Sequence, residues 1–152
     1  MMWRSTVFMS VAMLSHLAIG RWSPSPWMVP DLTVLSMALA ILRLPGHPLT
    51  PAWLAGVAAM TLAAHHPLWM GMAYLAAGAA VKWMAHQWEV TDPSRERLVI
   101  GIAQGGLLIL LASTGPVTVG LIVMGGLQVG LTLLCLPLMR ALVNRFVVPR
   151  PS

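Results

Sequence analysis

Residues 98–139 read LVIGIAQGGLLILLASTGPVTVGLIVMGGLQVGLTLLCLPLM, forty-two positions without one Asp, Glu, Lys or Arg. As a single helix this run would be about 63 Å long, twice the roughly 30 Å of a bilayer's hydrocarbon core. Ser113-Thr114-Gly115-Pro116 breaks it near the middle with turn chemistry, so it reads as two apolar helices joined by a tight turn. The same pattern extends outward. Leu44 to Val81 is also free of charge and is split at His65-His66-Pro67. Ser5 to Gly20 and the stretch ending at Leu42 flank Arg21-Trp22-Ser23-Pro24-Ser25-Pro26. The chain is therefore expected to be all-α, a polytopic membrane protein of six transmembrane helices in three hairpins. The spans are placed at about 5–20, 28–43, 50–65, 68–87, 94–113 and 117–139, forming one integral membrane domain over residues 1–152.

Composition agrees. Of 152 residues 58% are hydrophobic and 9% charged, against about 25% charged in a soluble domain that must solvate its surface. The net charge of +5 comes from scattered rather than clustered basic residues, which argues against a nucleic-acid surface. The lone Cys135 excludes an intramolecular disulfide framework and a cysteine-based zinc site. The second and third spans, at sixteen helical residues, reach only about 24 Å. They must sit untilted, thin the bilayer, or be shielded by their neighbours.

Six spans put both termini on one side. Arg4, Arg43, Lys82, Arg95, Arg97, Arg140, Arg145 and Arg150 then share that side and only Arg21 lies opposite, so both termini are expected to be cytoplasmic. The tryptophans give a second signal: Trp3, Trp53, Trp83 and Trp88 fall at cytoplasmic ends, and Trp22, Trp27 and Trp69 at outer ends. The first span has an alternative reading as a secretory signal peptide, with Arg4 before an apolar core and Ala18 and Gly20 after it; that would leave five spans.

Few residues could carry chemistry. Asp31, after Pro30, is either an ion or substrate site or a helix cap favoured by the dipole and partly wet at the interface. His65 and His66 are adjacent and so point to different sides, which suits a turn better than a metal site. His16, inside the first span, reads as a core histidine or an interhelical hydrogen-bond donor. Glu89, Asp92 and Glu96 alternate with Arg95 and Arg97 in what reads as a solvated connector or else a docking point for a cytoplasmic partner, with Asp92-Pro93 suited to start the fifth helix. The sequence contains no nucleophile–base constellation, glycine-rich phosphate loop or acidic pair within a span, so neither catalysis nor a metal or cofactor is expected. Small residues recur at packing intervals instead. Gly101 with Gly105, Gly126 with Gly130, and Ala55, Ala59 and Ala63 could each bring two helices together, within the chain or with a partner. Twelve methionines add adaptable apolar surface.

The order of these features resembles the rod shape-determining protein MreD family. Pro30-Asp31-Leu32 resembles the way that family's second span opens. Ala55-Gly56 through Leu68, Gly71 and Ala73 to Ala80 is similar to its third and fourth spans. Leu136-Pro137-Leu138 with Leu142 and Arg145-Phe146 is similar to its last helix and basic tail. The chain departs from the family where many members carry an acid late in the third span, having Ala64 beside His65. The resemblance implies a non-enzymatic subunit of the bacterial inner membrane that binds an MreC-type scaffold. Through it the subunit would act with an MreB-type actin and a peptidoglycan polymerase and transpeptidase in cell elongation. The competing expectation is a small membrane transporter or the substrate-binding subunit of an energy-coupling-factor vitamin transporter, which would use Asp31 and an outward pocket. Its usual Ala-xxx-Ala row is replaced here by Ala12 and His16. Candidate partner or packing residues are thus Gly101, Gly105, Gly126, Gly130, Asp31 and Pro137.

Overall fold

The computed structural model describes residues 2–24, 28–63 and 65–148, which leaves Trp27, Ala64 and Arg150 outside the described residues. Among the described residues six helices follow one another and no strand occurs: α1 (Met2–Trp22), α2 (Leu32–Arg43), α3 (Thr50–Leu62), α4 (Pro67–Gln87), α5 (Pro93–Ala112) and α6 (Val119–Phe146). They fall on the six apolar segments, with shifted boundaries. The second helix begins four residues later than position 28, because Pro30-Asp31-Leu32 forms a tight turn in which Leu32 N–H donates to the Pro30 carbonyl at 2.9 Å, and the Asp31 carboxylate caps the helix, accepting from Val34 N–H at 3.0 Å. The last helix runs on past position 139 through Pro137 to Phe146. A proline removes one backbone hydrogen bond, and burial of Leu136, Met139 and Val143 around it holds the helix together.

Among the described residues one helix, α6, is long and apolar enough to cross a membrane by length and composition. Only 17% of its most apolar window is buried inside the molecule, whereas the core helix of a water-soluble domain would be covered. Its exposed face carries Ile122, Val123, Leu134 and Leu138, and that of α1 carries Val7, Val11 and Leu14. Trp3, Trp22, Trp53, Trp69, Trp83 and Trp88 are all exposed and stand near helix ends.

The short helix α2 is the axis of the bundle. Every residue from Leu32 to Ile41 is buried, and all five other helices pack on it. Its neighbours thus shield α2, one of the three arrangements open to a short span. Around it α3 packs on α4, α4 on α5 and α5 on α6, while α1 packs mainly on α2, and two ends of the bundle can be distinguished. Arg43, Glu96 and Arg140 mark one; the α3–α4 and α5–α6 turns mark the other.

The tightest packing joins α3 to α4. A Cβ on Gly56 would lie 3.0 Å from the Gly71 carbonyl oxygen, one on Gly71 3.1 Å from that of Gly56, and one on Gly78 would collide with the Ala52 side chain. Ala52 and Ala55 are fully buried on this seam. The glycine pairs singled out in α5 and α6 behave differently. A Cβ on Gly105, Gly126 or Gly130 would meet nothing within 4 Å, and one on Gly101 would only touch Leu133 at 3.9 Å. Those pairs do not bring two helices of this chain together. The spacing was correct for close contact, but it repeats on faces that the fold leaves open.

Gly78→Leu or Gly71→Leu is therefore expected to destabilise the detergent-solubilised protein by about 1–3 kcal/mol or more through overpacking, with Gly126→Leu near neutral. Thermal unfolding followed by intrinsic tryptophan fluorescence would measure both; equal losses would contradict the assigned seam.

Candidate functional site

The segment Val29-Pro30-Asp31 is non-helical yet enclosed, with Val29 and Asp31 buried. Its depth follows from its partners: Thr132 lies thirteen residues into α6, about 20 Å along that helix, and Tyr74 seven residues into α4, about 10 Å. Non-helical backbone so far inside needs side chains to satisfy it. Gln128 Nε2 donates to the Val29 carbonyl at 3.2 Å, and Asp31 N–H donates to Thr132 Oγ1 at 2.9 Å. Thr132 Oγ1 in turn donates to the Gln128 carbonyl at 2.8 Å. His16 Nδ1 lies 3.0 Å from the Pro30 carbonyl; a carbonyl only accepts, so Nδ1 carries the hydrogen and Nε2 of the neutral ring is left as an acceptor. Tyr74 Oη donates to Asp31 Oδ2 at 3.3 Å.

Asp31 is thus a helix cap, as one of its readings held, but it is not partly wet. It is 5% exposed and lies inside the bundle. His16 also does more than fill space, because it adds a side-chain hydrogen bond to the Pro30 carbonyl, which already accepts from Leu32 N–H at 2.9 Å. Beside this cluster a crevice of about 160 Å³ opens between α1, α2, α3 and α4, lined by Met13, His16, Thr33, Ala59, Met70 and Tyr74.

The second polar centre lies at the other end. Glu96, read from sequence as part of a solvated connector, is 4% exposed in the first turn of α5. Its Oε2 accepts from Arg43 Nη2 at 2.9 Å and its Oε1 from Arg140 Nε at 3.1 Å, so one carboxylate ties α2, α5 and α6. The charge run Glu89–Arg97 hid this, because only Glu96 falls on the inner face of α5 once the helix starts at the Asp92 cap, whose Oδ1 accepts from Ser94 N–H at 3.1 Å. His65 stands in the α3–α4 turn, and His66, at φ 48°, leads into α4.

Sequence reading missed Tyr74, Gln128, Thr132 and Gln104. Each is a polar side chain inside an apolar run, the signal that could have exposed it. Gln104 is fully buried with both amide atoms unpartnered. Gly105 and Gly126, the two open-faced glycines, line a common apolar cleft of about 780 Å³ between α5 and α6, together with Ile109, Ala112, Val117 and Val129. Among the described residues no group of three or more His, Cys, Asp or Glu is placed to hold a metal ion.

Thr132→Val keeps the shape of the side chain but strands the Asp31 amide, and is expected to cost about 1–3 kcal/mol in a thermal or denaturant melt. Glu96→Gln leaves two partly buried guanidinium groups without their anion and is expected to cost about 3 kcal/mol, partly restored when Arg43 is also made Met. A double mutant no better than Glu96→Gln would show that the cluster is held by something other than charge.

No family model, curated protein or solved structure matches the chain.

Proposed function

We propose that the protein is a six-span subunit of the bacterial inner membrane with both termini cytoplasmic, acting without catalysis in the cell-elongation complex beside an MreC-type scaffold. The observation that carries the membrane part is the apolar exterior: the helices turn Val, Leu, Ile and Met outward around a centre that holds the polar side chains. Arg4, Arg43, Lys82, Arg95, Arg97, Arg140 and Arg145 belong to the Glu96 side under this topology and Arg21 to the other, in keeping with the positive-inside rule.

The elongation-complex part rests on the resemblance to the MreD family and on where its residues lie. Pro30-Asp31-Leu32 is the hub of the bundle, and the buried polar side chains around it are engaged mainly in holding helices together, which suits a scaffold. The α5–α6 cleft with Gly105 and Gly126 on its walls supplies an apolar surface where a partner helix could seat. The vitamin-transporter reading is less well supported, since the crevice near Asp31 is smaller than the roughly 300–1,000 Å³ that ligand pockets of that kind occupy.

Copurification from native membranes in mild detergent tests the reading. An MreC-type protein, with cell-wall polymerases, is expected among the species identified by mass spectrometry, and loss of the gene is expected to round the cells. Recovery of an ATPase module or a bound vitamin instead would overturn it.

A further inference from the structure

The molecule encloses two carboxylates and treats them differently. Glu96 is neutralised by two arginines, and these are the only ion pairs among the described residues. Asp31, just as deeply buried, meets only neutral donors, the Val34 amide and the Tyr74 hydroxyl. A carboxylate held away from water without a cation is a costly arrangement, normally resolved by a partner of opposite charge.

The crevice beside it offers a place for one. Its walls are apolar, from Met13, Leu17, Ala58, Ala59, Leu62 and Met70. Its polar residues are His16, Thr33 and Tyr74. All three can accept a hydrogen bond: His16 through Nε2, since Nδ1 is committed to the Pro30 carbonyl, Tyr74 through the oxygen whose hydrogen goes to Asp31, and Thr33 through its hydroxyl. An apolar sleeve about 160 Å³ in volume, with three acceptors and a negative charge one hydroxyl away, matches an alkyl stem ending in an ammonium with three hydrogens. A guanidinium is wider and flat, and a bare alkali ion would leave the apolar walls without a role.

We propose that this crevice is an alkylammonium site, filled in the assembled complex by a lysine side chain from a partner's transmembrane helix that seats between α1 and α3. The identity of the occupant rests on the subunit reading given above; the chemistry of the site does not. Charge complementarity to Asp31 selects the partner, and the ordinary positive-inside pattern makes a lysine at this depth of the opposite half an identifiable feature of it.

The test uses the full-length protein in two measurements. In detergent, thermal unfolding is followed with n-butylammonium chloride against the same concentration of tetraethylammonium chloride, which has the charge but no N–H. Butylammonium is expected to raise the unfolding midpoint of the wild type and to leave Asp31→Asn unmoved, where asparagine keeps the cap to Val34 but removes the charge. Ala59→Leu, which fills the crevice and leaves Asp31 and its cap in place, is expected to abolish the shift as well, and serves if Asp31→Asn does not fold. In membranes, either variant is expected to recover about tenfold less of the copurifying partner. Equal midpoints with the two salts in the wild type, or a butylammonium shift undiminished in both variants, would overturn the site. Full retention of the partner by both variants would overturn the lysine contact while leaving the subunit reading intact. A wild type that brings down no elongation partner would overturn that reading and the lysine contact with it, and the butylammonium shift would still decide the chemistry of the crevice.

Discussion

The fold depends on keeping three residues of non-helical backbone inside an apolar bundle. A helix satisfies its own amides and carbonyls; Val29-Pro30-Asp31 is satisfied that way only in part, through Leu32 N–H on the Pro30 carbonyl and Leu35 N–H on that of Asp31, and its Val29 carbonyl and Asp31 amide are met by side chains brought from elsewhere. Gln128 and Thr132 from α6 supply these contacts and His16 from α1 adds one to the Pro30 carbonyl, while Tyr74 from α4 meets the Asp31 carboxylate. Three outer helices are thereby fixed in register against the start of α2. Apolar side chains alone would allow them to slide, because packing in a hydrocarbon environment has little directional preference. The same constraint explains why α2 can be so short: its amino-terminal end is inside the bundle, at the level where these partners lie.

At the opposite end Glu96 does comparable work with charge. It fixes the ends of α2 and α6 against the start of α5, so α2 is clamped at both termini, by neutral hydrogen bonds at one and by ion pairs at the other. The closest backbone approach is along the α3–α4 seam, where Gly56, Gly71, Gly78 and Ala52 let the helices meet. The α5–α6 pair is looser and keeps a large apolar cleft between its helices.

Much of the architecture was legible in the sequence because charge is excluded from apolar helices and turns need particular residues. The intervals between charged residues, together with His65-His66-Pro67 and Ser113-Gly115-Pro116, located the helices and their breaks. Asp31 and Asp92 were legible as caps for the same local reason. Contacts made across the bundle were not. Glu96 resembled its exposed neighbours in a charged stretch, and only the helical phase set by the Asp92 cap turns it inward. Thr132 and Gln128 looked incidental until Asp31, about a hundred positions away in sequence, was placed beside them. The glycine pairs of α5 and α6 illustrate the converse: four-residue spacing records that a face is smooth, not what lies against it.

The long separation between Asp31 and Thr132 also bears on how the chain is made. The two are 101 positions apart, and Thr132 is on α6, which is synthesised after α2. At about 5–20 residues per second, α2 waits roughly 5–20 s for the side chains that will satisfy its first backbone groups. Over that interval the Val29 carbonyl and Asp31 amide have neither Gln128 nor Thr132 and must be satisfied by water or another outside group until α6 arrives. The bundle would then form by late closure, with the central helix drawn in by α6 and not packed in chain order.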